Sequence, residues 1–304
     1  MKGVAVKIFS VFMGLLVFGA FFPLCAQAAD LKKIVAVSRF ENKTNWSGQM
    51  DLDSGMADQL TDALMKSGQF VVVERQTLND VTGEQDLAAG GRAMKSKSAR
   101  TGMLTSAQIL IKGTITEFQE TSSGGGAGIH VFGFGLGGNK SSAHVGLIIR
   151  LIDSTTGQVL DSERVEGKAD SGGLLGSVDV GAVSFGGDAF HKTALGKAVQ
   201  KVIDKCVDII ASKMKDIPFK ADIIKVDGPE VLIAAGKQSG VSSGDTFTSY
   251  SEGEELVDPD TGALLGHDEK KIGTIQVFEV HDKFSKARVV SGTGYKRGQI
   301  VRAE

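Results

Sequence analysis

The chain has 304 residues, with 34 Lys and Arg against 36 Asp and Glu for a net charge of −2, a balance that excludes a nucleic-acid partner held by a basic surface. Its two cysteines, Cys25 and Cys206, exclude a disulfide framework. Forty glycines are about twice ordinary usage, and they crowd into residues 122–187, where the chain must do something unusual.

In chain order, the first segment is the clearest. Lys2 and Lys7, the uncharged run Ile8 to Leu24 and the small-x-small site Ala26-Gln27-Ala28 are the three parts of a secretory signal peptide, so residues 1–28 are predicted to be removed. That removal takes two lysines and no acids, moves the net charge to −4 and leaves Cys206 as the sole thiol. A membrane anchor is the competing reading, although an apolar run of about 17 residues is short for a bilayer. Cys25 could be a lipidation site, but Leu24 stands where such sites carry a small residue, and soluble-type cleavage is favoured. No later stretch has the apolar length of a spanning helix, so any further crossing has to be made by strands.

Residues 31–119 alternate strand and helix patterns. Ile34 to Val37 is a buried-strand pattern, and Asp51 to Lys66 is helical with Ala57, Leu60, Ala63 and Leu64 on one face, Asp53 or Ser54 as N-cap and Gly68 as stop. Phe70 to Val73 and Ile109 to Ile115 read as strands, with a helical stretch opening at Glu74 and a polar loop over Ala88 to Thr101. The middle region holds the glycines. Ile129 to Leu136 alternates, as do Ala143, Val145, Leu147, Ile149 and Leu151 after Gly137-Gly138-Asn139-Lys140, so the pattern predicts a hairpin between the two runs. Val159 to Ala169 extends again, and Gly172 to Gly187 contains a second, weaker alternation. From Leu195, the series Val199, Val202, Ile203, Cys206, Ile209 and Ile210 predicts a long amphipathic helix packed on the first domain, with Cys206 buried in its apolar stripe. Ile217-Pro218 marks a boundary. Beyond it, six short strand patterns separated by turns predict a small β-barrel.

Catalytic signals are scarce, and the chain is expected not to be an enzyme and to carry no cofactor or metal. The five histidines are scattered without metal-ligand spacing, and no Ser lies in a nucleophile elbow. Gly133 to Gly138 spells a dinucleotide fingerprint but leads into a strand, whereas that chemistry needs a helix N-terminus. Asp51 and Asp53 lack the glycine and final Glu of a calcium loop. The Gly-rich hairpins keep two readings: flexible surface insertions, or membrane hairpins with apolar side chains outward. In the second reading Phe132, Phe134 and Leu136 together with Ala143, Val145, Leu147 and Ile149 face lipid. One chain supplies only four such strands, and an open sheet cannot sit in lipid, so that reading requires a ring of subunits closing one barrel.

Several motifs in order carry a resemblance. Val73-Glu74-Arg75-Gln76, Ala107 to Gly113, the glycines from Gly124, Arg150 to Asp153 leading to Thr156 to Leu160, and Leu195-Gly196-Lys197-Ala198 resemble the curli production assembly/transport component family over about residues 31–215. The resemblance implies an α+β protein: a periplasmic α/β domain resembling an anticodon-binding domain, with two β-hairpins at about 117–152 and 159–191, within a unit of residues 29–216. It implies a homo-oligomeric ring of about nine subunits in the outer membrane, the family being the known case of a barrel of about 36 strands, a number carried over rather than deduced. Unfolded fibre subunits would be its cargo, passing a constriction loop that here falls on Asn45, Trp46, Gln49 and Met50. This loop is shorter than in curli channels and lacks their Tyr and Asn-Phe pair. Residues 217–304 resemble the C-terminal domain of a flagellar assembly protein, an SH3-like barrel, through Gly236-Lys237, Gly244-Asp245 and Lys296 to Gln299, and are expected to bind a periplasmic accessory protein. The competing reading is a periplasmic docking module that forms no pore.

Overall fold

The structure, a computed structural model, describes residues 31–46, 51–94, 99–102, 104–124, 129–131, 134–136, 139–173, 185–262 and 264–303. Two apolar clusters organise it, one drawn from Val35 to Met214 and one from Phe219 to Val301.

The first cluster lies under a mixed sheet. Its strands are β1 (Lys33–Val37), β2 (Glu41–Asn42), β3 (Phe70–Val73), β4 (Ile109–Gly124), β7 (Asn139–Asp153) and β8 (Val159–Gly173), in the order β3-β1-β4-β7-β8, with β2 beside β4. β1 is parallel to both β3 and β4, and its Val35, Ala36 and Val37 are at most 2% exposed, as a strand flanked on both edges should be. β4, β7 and β8 form a long antiparallel trio. A separate short hairpin joins β5 (Ile129–Val131) to β6 (Phe134–Leu136).

The helices α1 (Leu52–Ser67) and α4 (Ala194–Lys215) pack together on one face of this sheet. α1 starts where predicted, but its N-cap is Asp51, whose carboxylate accepts the Ser54 N–H at 3.3 Å. α4 is capped by Thr193, whose hydroxyl accepts the Gly196 N–H at 2.9 Å. It buries Leu195, Val199, Val202, Ile203, Cys206 and Ile210 of the predicted stripe, and Met214 besides, while Ile209 is only half-buried; each fully buried aliphatic side chain contributes roughly 1.5–3 kcal/mol. The helix lies so close to β8 that a Cβ on Gly167 would sit 2.3 Å from the Ala198 carbonyl oxygen. Its lysines turn outward and back: Lys201 Nζ donates to the Lys168 carbonyl, and Lys213 bridges Asp161 and Glu163 of β8. Of the two remaining helices, α2 (Leu78–Ala89) buries only Gln85, and a single helical turn, α3 (Asp188–Lys192), buries Phe190.

Two expectations are corrected here. The partner of β7 is β4, aligned from Ile109 opposite Asp153 to Gly124 opposite Asn139, and not the run 129–136. The alternation of 129–136 is real, but it pairs with itself, Ile129 opposite Leu136 and Val131 opposite Phe134, and the polar stretch 117–124 extends β4 instead. The expected second hairpin over 159–191 includes α3 at its end, while the alternation over 174–184 lies outside the described residues.

The second cluster fills a closed barrel of β9 (Lys220–Asp227), β10 (Glu230–Ile233), β11 (Thr246–Val257), β12 (Leu264–Val280), β13 (Ser285–Gly292) and β14 (Ile300–Ala303), ordered β10-β13-β12-β11-β14-β9. β11 and β12 run on past the barrel as an arm that exposes Leu256, Val257 and Leu265. The chain before β1 ties the two units together: Leu31 packs on the barrel cluster, and the Lys32 N–H donates to the Ser239 carbonyl at 2.9 Å. Gln108 Nε2 adds a bond to the Lys220 carbonyl at 2.8 Å.

Candidate functional site

The candidate site lies at the level where β4, β7 and β8 leave the domain. There the loop after β2 meets the trio. The Asn42 carboxamide oxygen accepts from both the N–H and the hydroxyl of Thr44, at 2.9 and 2.7 Å, and the Trp46 N–H donates to the Thr44 hydroxyl at 3.2 Å. The Lys43 N–H donates to the Ile115 carbonyl at 2.9 Å, so the loop is stitched to β4. Trp46 then turns inward. Its ring meets Phe118 edge-on at 5.0 Å, Phe118 lies 6.5 Å from Phe185, and Phe185 lies 4.8 Å from Phe190. This aromatic chain runs from the loop to α3 beneath the roots of both Gly-rich segments. A cavity of about 490 Å³ opens beside it, lined by Lys43, Asn45, Trp46, Glu117 and Gln119 among others.

Of the four expected constriction residues, Asn45 is exposed and Trp46 anchors the loop against the core, while Gln49 and Met50 lie outside the described residues. Of the seven expected lipid-facing residues, Phe132 lies outside them, and Phe134 and Leu136 are placed only as members of β6. The remaining four are corrected. Ala143, Val145, Leu147 and Ile149 share one face as predicted, but that face is 0–2% exposed and belongs to the domain core, on the side that α4 covers. An apolar strand face looks the same in sequence whether a helix or lipid covers it, which is why alternation alone misassigned it.

The opposite face of the trio carries a cluster that sequence patterning missed. Glu117 of β4, His144 of β7, and Arg164 and Glu166 of β8 meet there. His144 Nδ1 lies 3.1 Å from Glu117 and Nε2 lies 3.4 Å from Glu166, while Arg164 Nε donates to Glu166 at 2.9 Å and its terminal nitrogen pairs with Glu117. Gly146 makes the space, since a Cβ there would press to 2.9 Å from the Thr116 hydroxyl and 3.2 Å from Glu117 Cβ. The hydrogen bond from Arg164, and then His144, hold the Glu166 carboxyl below its usual range, and the two carboxylates raise Arg164 in turn. Glu117, His144 and Glu166 offer donor atoms within 4.8 Å of one another, a set of the kind that binds divalent cations. Arg164 already holds one oxygen of each carboxylate, and the two glutamates address different imidazole nitrogens, so the group as packed is a closed ion-pair network. The signal that could have found it is parity: all four residues stand off the core face. Bringing them level requires the β4–β7 register, which shifts between Ile115 and Glu117.

A family model described as "Curli production assembly/transport component CsgG" matches residues 24–226. The curli production assembly/transport component of Salmonella typhimurium is 26% identical over 107 residues, 34% of this chain and 39% of that protein. Its counterpart in Escherichia coli K12 is 25% identical over the same shares. The matched stretch thus spans well under half the length of these curated relatives. Among solved structures, a hypothetical protein from Chlamydia trachomatis aligns over 60% of this chain and 97% of its own, at 14% identity and a TM-score of 0.39, a likeness too distant to carry an argument.

Proposed function

Because the chain belongs to the curli production assembly/transport component CsgG family, we propose that it is one subunit of a ring-shaped channel in the outer membrane that exports unfolded fibre subunits. In this reading residues 1–28 are the export signal. The first unit is the anticodon-binding-like periplasmic domain, and the six-stranded barrel is an SH3-like module that docks an accessory protein. The channel is passive: it binds and guides a polypeptide, and no side chain acts on a covalent bond.

The observation that supports it is the trio β4–β7–β8. Its three strands rise together from the domain, paired up to Gly124 opposite Asn139 and Asn139 opposite Gly173, ahead of the Gly-rich segments. Residues 121–142 are a stretch of chain as long as two tilted membrane strands of about ten residues and their turn need. A subunit alone leaves those strands with open edges, which lipid does not tolerate, so copies have to close the barrel. The loop anchored by Trp46 sits at the base of this wall, where a constriction can act on the passing chain.

One observation favours the second reading, a periplasmic docking module without a pore. Glu120 stands on the α4 side of β4, bonded to the Ser141 hydroxyl, where a lipid-facing band cannot begin. The channel reading therefore places the bilayer beyond this residue. Membrane fractionation separates the two readings. The channel account expects the mature protein in the outer-membrane fraction, released only by detergent; release by osmotic shock with the soluble periplasmic proteins contradicts it.

A further inference from the structure

Resting on the channel reading above, we infer that the face of β4, β7 and β8 turned away from α4 is the lumen side, and that Glu117, His144, Arg164 and Glu166 form a charged band at the periplasmic mouth of the pore.

Side chains alternate along a strand, so a face once assigned stays assigned until a bulge interrupts it. Within the trio, the shift between Ile115 and Glu117 precedes the cluster, and no further shift separates the cluster from the strand ends. Phe118, Val145, Val165 and Ala169 point toward the helix side and are buried. Their neighbours therefore point the other way. Above the cluster, that second face continues as Gln119 opposite His144, Lys168 opposite His144, Thr121 opposite Ser142 and Asp170 opposite Ser142. All of these are polar, and Gln119, Ser142, Lys168 and Asp170 are exposed. A strand wall in lipid turns apolar side chains outward and polar ones to the water-filled interior. A face bearing Lys168 and Asp170 has only the interior open to it.

The four clustered residues stand on this face just before the membrane segment. Each subunit contributes two carboxylates, one guanidinium and an imidazole between them, and a closed ring repeats the set around the opening. Rings of fixed side-chain charge set which ions enter a pore, and the same field acts on charged segments of a passing polypeptide. Arg164 holds both carboxylates, so its removal leaves two unneutralised anions per subunit, while removal of the two carboxylates leaves a lone cation.

The test is ion selectivity of the purified oligomer in planar bilayers under a potassium chloride gradient. The double variant Glu117→Gln/Glu166→Gln should shift the permeability ratio toward chloride, and Arg164→Gln should shift it toward potassium. Glu163→Gln, one residue away but on the α4 side, should leave it unchanged. A second measurement guards against variants that assemble poorly. Conductance should fall when Gln119→Cys or Thr121→Cys meets a water-soluble thiol reagent, and should hold for Glu120→Cys. Cys206 gives no background, being fully buried with its thiol pushed up to about 12 by desolvation. A conducting oligomer whose selectivity ignores Glu117, Arg164 and Glu166, or whose conductance falls at Glu120→Cys and holds at Gln119→Cys, overturns the face assignment alone. A wild-type protein with no conductance overturns the channel reading and the inference together.

Discussion

At Gly196 the first turn of α4 runs against α3 so closely that a Cβ would lie 2.0 Å from the Phe190 carbonyl oxygen, a main-chain atom that cannot swing aside. Gly196→Ala is therefore expected to cost about 1–3 kcal/mol, the range of an overpacked core. Gly83, inside α2, has nothing within 4 Å of the same added atom, and Gly83→Ala should stabilise by about 0.5–1 kcal/mol through helix propensity. Urea unfolding of the two variants gives opposite shifts in midpoint if close packing, and not glycine content, governs α4. Trp46 makes a second residue-scale case. Its ring contact with Phe118 and its place on the core cluster predict a loss of about 2 kcal/mol in Trp46→Ala, with most of it retained in Trp46→Phe. As the only tryptophan in the chain, it also reports directly: its emission should move to longer wavelength on unfolding. An emission already at the solvent-exposed position in the native protein would contradict the anchoring role. Nothing in the sequence around Trp46 announces this, because Phe118 comes from β4 and Phe185 and Phe190 from the stretch at α3, both far from it in the chain.

At the scale of elements, most of what positions the site was legible and its pairing was not. The stripe of α4 follows from residues spaced three and four apart, and Val199, Val202, Ile203, Cys206 and Ile210 are buried as that spacing requires. The barrel strands follow from short apolar runs between turns, since each turn residue fixes where a strand stops. The trio shows where such reasoning ends. Alternation over Ala143 to Leu151 identifies a strand with one dry face, and period two says nothing about which partner runs beside it or what covers it. β4 carries Glu117, Gln119 and Thr121 in its outer half, so it lacks the apolar signal that the run 129–136 offers, and the apolar run attracted the pairing. The cluster of Glu117, His144, Arg164 and Glu166 became visible only once register set the three strands level.

Across the whole molecule, ion pairs set a pH window that can be checked. The carboxyls of Glu166 and Glu279 are held below the ordinary 4.5, first by hydrogen bonds from Arg164 and Lys286 respectively. A folded-state value below the unfolded one stabilises at higher pH, so this contribution is complete above 4.5 and is lost as pH falls through the lower folded values. Lys213 and Lys286 are raised above their ordinary 10.5 by the hydrogen bonds they donate to their acidic partners. Their contribution is complete below 10.5 and is lost as pH rises through the higher folded values. The melting temperature should thus be nearly flat between these limits and fall beyond each. These pairs are exposed, so the slopes should be shallow and weakened by salt. A steep loss between pH 6 and 8 would point to a group outside these pairs.

The central claim, that copies of this subunit close one pore, is tested most directly by electron microscopy of the mature protein extracted by detergent from the outer membranes of an expressing cell. The account predicts closed rings with a central opening. Particles that are monomers or small open assemblies, recovered without detergent, would contradict it and leave the trio and the barrel as docking surfaces.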